Sequence, residues 1–142
     1  MEKNILALDL GKGSLGIALS RSGMLVSLLP NIRFKMGDYQ TALKELKEVL
    51  FLEKIEHIAM GYPLFPSGDP CEMTPIVERF IPMVQEAFPQ ATITKVDERN
   101  STVEAAALLH SLGENAKKQR RHIDSAAAGV ILQRYLHQIG QD

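Results

Sequence analysis

Four acidic residues stand near the ends of expected strands or at the start of a helix: Asp9 in LALDLG, the neighbours Asp97 and Glu98 in TKVDER, and Asp124 in RHIDSAAAG. Three carboxylates brought together repel one another unless a cation neutralises them. Mg²⁺ is held by a few carboxylates while keeping waters and phosphate oxygens. Two such ions clamp the attacking and leaving oxygens of a displacement at phosphorus. The chemistry these residues can do together is metal-assisted hydrolysis of a phosphodiester. Each also has an ordinary structural use. Asp9 can cap a turn, Asp97 can pair with Arg99, and Asp124 can be a helix N-cap. The residue types alone leave both readings open, and only convergence on one edge of the fold favours the first.

Convergence depends on the elements. NILALDL (4–10) and SLGIALS (14–20) read as strands joined by a glycine-rich turn, and MLVSLLP (24–30) as a third strand after Ser22-Gly23. From Tyr39 to Leu52 the period changes: Leu43, Leu46, Val49 and Leu50 fall on one helical face. HIAMGYP (57–63) is a short apolar strand, followed by a proline-rich loop over 62–75. Thr74-Pro75 reads as N-cap and N1 of a helix that Pro82 kinks or restarts. ATITKVDE (91–98) alternates as a strand. Ser101 to Glu104 matches a capping box for a helix stopping near Gly113, and the last helix runs from about Ile123 to Ile139, with Ala126, Ala127 and Ala128 small enough to let it lie close to the sheet. The order β-β-β-α-β-α-β-α-α predicts an α/β fold. Its mixed five-stranded sheet has three antiparallel strands, then parallel additions through helices. If the first strand is central, Asp9, Gly61 and Asp97/Glu98 share one edge, where α/β sheets bind ligands. Adjacent strand residues face opposite ways, so one of Asp97 and Glu98 faces the site.

The 142 residues suit a single domain spanning 1–142. One cysteine gives no intrachain disulfide, the N-terminus does not read as a signal peptide, and no segment is long enough to span a membrane. A cytoplasmic protein is expected. A net charge of −1 argues against a broad basic nucleic-acid surface. The basic residues cluster locally in AKKQRRH (116–122), which from the run alone reads first as a solvated loop or helix end and second as a binding patch. His57, His110 and His137 show no metal-ligand spacing. His122 reads as an exposed histidine of the basic stretch or as a proton shuttle.

DLGKGSLGIALS, GYPLFPSG, VDERNSTVEA and HIDSAAAGVILQRYL occur in that order. Together they resemble the YqgF/RuvX family, Holliday-junction-resolvase-like proteins described as pre-16S rRNA nucleases, over nearly the whole chain. The resemblance implies an RNase H-like fold and a metal-dependent hydrolase that cleaves nucleic acid in 5′-end maturation of ribosomal RNA. It implies Mg²⁺ or Mn²⁺ held by Asp9, Glu98 and Asp124 as the catalytic carboxylates, with Asp97 in reserve. Lys12, Arg99, Thr102 and Lys118 are then candidate contacts to substrate phosphates. The expected partner is an rRNA precursor, with branched DNA as the alternative and no membrane.

Three departures from the family pattern bear on substrate binding. Lys12-Gly13-Ser14 replaces the usual Thr-Lys-Arg, Arg21 stands where many members have Asp, and the loop reads Pro63-Leu64-Phe65-Pro66-Ser67-Gly68 in place of P-L-N-x-D-G. Two other functions fit the residues. DLGKGSLG also resembles the phosphate-binding hairpin of sugar kinases and actin-like ATPases, although those carry two copies of the fold and this chain has one. A non-catalytic ribosome assembly factor that retains the nuclease fold is the third reading.

Overall fold

The computed structural model describes residues 4–23, 25–99, 102–111 and 125–140, apart from the side chain of Thr102. The strands are β1 (Ile5–Leu10), β2 (Ser14–Ser20), β3 (Ser27–Arg33), β4 (His57–Tyr62) and β5 (Thr92–Asp97). The helices are α1 (Tyr39–Val49), α2 (Thr74–Ala87), α3 (Thr102–Ser111) and α4 (Ala126–Gly140). The sheet order is β3-β2-β1-β4-β5, antiparallel for β1–β2 and β2–β3 and parallel for β1–β4 and β4–β5. The mixed five-stranded sheet expected from the sequence forms, with β1 at its centre.

Alternation along β1 sorts its residues between two cores. Leu6, Leu8 and Leu10 join Leu15, Ile17, Leu19, Ile58 and Met60 against Leu43 and Leu46 of α1 and Val77, Phe80 and Val84 of α2. Ile5 and Ala7 join Ala18, Ala59 and Val96 against Leu108 of α3 and Ala128, Ile131 and Leu132 of α4. By the same period Asp9 belongs to the α4 face.

That face is built for close approach. A methyl on Gly129 would run into Leu108 and Leu28, so glycine lets α4 sit down on the sheet. Ser125, fully buried at the start of α4, accepts a hydrogen bond from Ile17 N (3.1 Å) and donates one to Leu29 O (2.7 Å). The β2–β3 ladder slips there, with Leu15 opposite Ile32 but Ile17 opposite Leu29. β3 thus carries an extra residue, and the serine hydroxyl bonds both strands at the irregularity.

One correction concerns the strand that carries this slip. The third strand, expected at 24–30, occupies 27–33. β3 is an edge strand, so Pro30 sits inside it, at the bulge, without breaking a central ladder. A second correction concerns α2, which begins at Thr74 with no side-chain cap. The Thr74 hydroxyl is used by the preceding loop instead: it accepts from Cys71 N (2.8 Å) and donates to Pro63 O (2.6 Å). α2 also continues through Pro82 rather than restarting. The capping box lies partly at Ser101, outside the described residues, and Glu104 pairs with Arg134. Among the described residues no helix is long and apolar enough to cross a membrane.

Candidate active site

Asp9 is mounted in the ladder, opposite Gly16 of β2. On its other side the parallel pairing with β4 runs to Leu8↔Met60, and Asp9 and Gly61 follow that pair. Glu98 lies one residue beyond β5. Val96 is buried in the α4-side core, and Glu98, two residues on, takes the same side. Gly61 stands between them: a methyl there would strike Ile131 and come within 3.1 Å of Glu98 Oε2. Glycine leaves the space that the glutamate occupies.

The Asp9 and Glu98 carboxyls hydrogen-bond to each other. Two carboxyls can do so only by sharing a proton. Burial raises both pKa values, and the negative charge of Asp9 adds to the rise at Glu98, which is pushed up to about 9. Among the described residues no ammonium or guanidinium forms an ion pair with either.

Asp97 faces the other way. It is exposed, forms an ion pair with Arg99 (2.7 Å) and accepts from Arg99 N (2.9 Å), and its pKa is lowered by that arginine. The alternation that separated Asp97 from Glu98 in the sequence therefore holds in three dimensions. Arg99 also reaches Pro66 O (3.4 Å), fastening the 63–70 loop to the end of β5. That loop is closed by a Leu64↔Pro70 bridge, bonds from Phe65 N to Asp69 O (2.9 Å) and from Gly68 N to Phe65 O (2.8 Å), and left-handed Gly68 (φ +95°). Lys12, in the β1–β2 turn, pairs with Glu72 just before α2. Arg21 forks onto Glu53 with bonds of 2.8–3.1 Å, so this departure from the family pattern has a structural partner.

The structure thus brings Asp9 and Glu98 together, sets Lys12 three residues after Asp9, and places Arg99 beside Glu98. Asp124, Lys118, His122 and the AKKQRRH patch lie outside the described residues, as does the side chain of Thr102. Among the described residues no group of three or more His, Cys, Asp and Glu side chains is arranged to hold a metal ion.

Two residues near the site have no role in the sequence reading, which places Cys71 in the proline-rich loop without a partner motif. Cys71 bears on Glu98 electrostatically, and its own pKa is lowered by the Thr74 hydroxyl. Arg134 of α4 donates to Asp97 O (2.7 Å) and Arg99 O (2.9 Å), the carbonyls on either side of Glu98. Its partners lie 35 and 37 positions away, and no local pattern announces them. A cleft of about 630 Å³ lined by Asp97, Arg99, Glu104, Arg134 and His137 runs beside this segment, without Asp9 or Glu98 in its wall.

This sheet order, with a carboxylate pair at the carboxyl ends of its central and parallel strands, defines an RNase H-like domain. Two structures of Thermus thermophilus RuvC share the fold: one at a TM-score of 0.58 and 16% identity, covering 96% of each chain, the other, in complex with Holliday junction substrate, at 0.55 and 15%, covering 97% of this chain and 96% of that one. Residues 3–138 match the family model described as RuvX, Holliday junction resolvase. The chain is 35% identical to a protein of Onion yellows phytoplasma over 94% of its length and 89% of the relative's, and 36% identical to one of Mycoplasma capricolum over 96% of each, both named "Putative pre-16S rRNA nuclease". The chain belongs to the RuvX family.

Proposed function

We propose that this chain is a divalent-metal-dependent endonuclease that hydrolyses phosphodiester bonds in 5′-end maturation of precursor 16S rRNA, in the cytoplasm. The observation that carries the chemistry is the Asp9–Glu98 pair, two half-buried carboxyls in hydrogen-bond contact with no cationic side chain paired to them among the described residues. An all-oxygen donor pair of this kind suits Mg²⁺ or Mn²⁺. Asp9, Glu98 and Asp124 would hold the ion. Support for Asp124 comes from its covalent neighbour: Ser125 is bonded to Ile17, whose partner across the ladder is Leu8, next to Asp9. When bound, the cation neutralises the carboxylates, lowers the pKa of a bound water and stabilises charge at phosphorus.

The chain's own groups do the rest. Asp9 is fixed on the central strand and supplies a carboxylate that does not move. Glu98 would give up the shared proton to serve with Asp9 as a ligand. Lys12 and Arg99 meet substrate phosphates at the rim, with Lys118 and Thr102 as further contacts. The substrate is taken from the relatives' names, and the family description favours a second reading, cleavage of branched DNA.

The test is cleavage of a 5′-extended 16S precursor and of a four-way DNA junction with Mg²⁺ or Mn²⁺, by wild type and Asp9→Asn. Wild type is expected to cut the precursor, and the variant to lose roughly 10³-fold in rate, the several kcal/mol that metal-assisted charge stabilisation supplies. Cutting of the junction alone would replace the substrate. Metal-dependent cleavage retained in Asp9→Asn would remove the site, and no cleavage of either substrate would leave a non-catalytic assembly factor.

A further inference from the structure

Glu98 is poorly secured by the sheet that presents it. It stands past the last residue of an edge strand, and its amide reaches only Tyr62 O, at 3.5 Å. A carboxyl in that position would wander with its backbone unless something outside the sheet held it. Besides Arg99, which ties the segment to Asp97 and to Pro66 O, one guanidinium from another element does. Arg134 spans the residue, with Nη1 on Asp97 O and Nη2 on Arg99 O, while Nε (2.9 Å) and Nη2 (2.5 Å) grip the two oxygens of Glu104 on α3. The side chain is only 21% exposed. Glu104 aims the planar fork, and α4, anchored through Ser125 to β2 and β3, supplies its fixed base.

From this geometry, and resting on the nuclease reading above, we infer that Arg134 is the positioning residue for Glu98. It holds the backbone on both sides of that residue so that the carboxyl stays opposite Asp9. Arginine is required because the task uses a rigid planar set of donors in several directions. Lysine carries the charge but cannot bridge two carbonyls while bound bidentately to a carboxylate.

The experiment joins two readouts on wild type, Arg134→Lys, Glu104→Gln and, as a control on the exposed side of α1, Glu48→Gln. The first is amide hydrogen exchange of the metal-free chain. Arg134→Lys is expected to speed exchange at Glu98 and Arg99 ten-fold or more while β1 and β4 amides keep their protection. The second is precursor cleavage in Mg²⁺. The same variant is expected to lose ten-fold or more in kcat with KM within two-fold of wild type. Glu104→Gln, which leaves the carbonyl bonds but loosens the aim of the fork, should fall between, and Glu48→Gln should match wild type. Unchanged exchange at 98 and 99 in Arg134→Lys overturns the assignment. So does faster exchange with wild-type kcat, because the clamp would then be structural only. If wild type cleaves nothing and Arg134→Lys still exchanges faster at 98 and 99, the nuclease reading fails while the clamp on Glu98 stands.

Discussion

The two faces of the sheet are made of the same strands and do opposite things. One presents Leu6, Leu8, Leu15, Ile17, Leu19, Ile58 and Met60 to α1 and α2, large side chains that are almost wholly buried. Burying each contributes about 1.5–3 kcal/mol, so this face provides stability and little else. The other presents Ala7, Ala18, Ala59 and Gly61 beside Ile5, Leu28 and Val96, with Gly129 of α4 set against Leu28 and Leu108. It gives up buried area, brings a helix close, and holds two carboxyls that repel each other once ionised. A single alternation in β1 thus separates the part that keeps the molecule folded from the part that can do chemistry. The candidate site sits on the face with the thinner apolar packing, as expected where stability and activity compete.

The sharpest way to break this contrast is to put a side chain where the site face has none. Gly61→Ala adds a methyl that runs into Ile131 and crowds Glu98. Ile131 is fully buried and has nowhere to turn. We expect a loss of about 1–3 kcal/mol in chemical denaturation, the usual cost of overpacking, with cleavage falling further than stability because Glu98 is displaced. Ala59→Gly, on the same strand and face but away from both carboxyls, should cost stability without that excess loss of cleavage. Equal losses of cleavage in the two variants would remove the special role of Gly61.

The next effect is electrostatic and confined to the site face. With a pKa of about 9, folded Glu98 holds a proton that the unfolded chain releases above its ordinary value of 4.5. The folded state therefore binds more protons between those values, and the stability of the metal-free chain falls as pH rises across that window. The raised pKa of Asp9 acts in the same direction. Glu98→Gln removes the titration, so its denaturation midpoint should overtake that of wild type toward pH 9, by roughly 1 kcal/mol or more. Mg²⁺ should restore wild type and leave the variant unmoved. Parallel profiles for the two chains would show that the carboxyls do not share a proton.

How far the sequence reaches follows the same division. Asp9 is legible because everything that positions it is local: an alternating strand, a glycine turn and the partner strand directly after it. The choice of Glu98 over Asp97 follows from alternation once Val96 is known to be the buried member. The shift of β3 to 27–33 is not local, since it depends on the β2 register and on a serine more than ninety residues away. Thr74 has the residue type of an N-cap, but its hydroxyl is taken by Pro63 and Cys71, a demand set by how the loop folds back. Arg134 reads as one more polar residue on an amphipathic helix. Its importance comes from two carbonyls and a carboxylate that only tertiary structure brings to it.

The smallest effect belongs to the rim, where the site face meets solvent. Lys12 is paired with Glu72, and both are well exposed, at 47% and 73% of the side chain. An exposed pair is worth at most about 1 kcal/mol, so the contact cannot be holding the fold together. It ties the turn after Asp9 to the segment before α2 and holds the ammonium there. A substrate phosphate would have to compete with Glu72 for that ammonium. Glu72→Gln should therefore tighten RNA binding by about two- to five-fold, the range an exposed pair allows. Lys12→Ala should weaken it and flatten the salt dependence by about one phosphate contact, a change of ~0.7–0.9 in the log–log slope. Neither should alter thermal stability measurably. If Glu72→Gln instead weakens binding, the pair acts as one positioned unit that presents the lysine to the phosphate, and the rim is as preorganised as the carboxylates behind it.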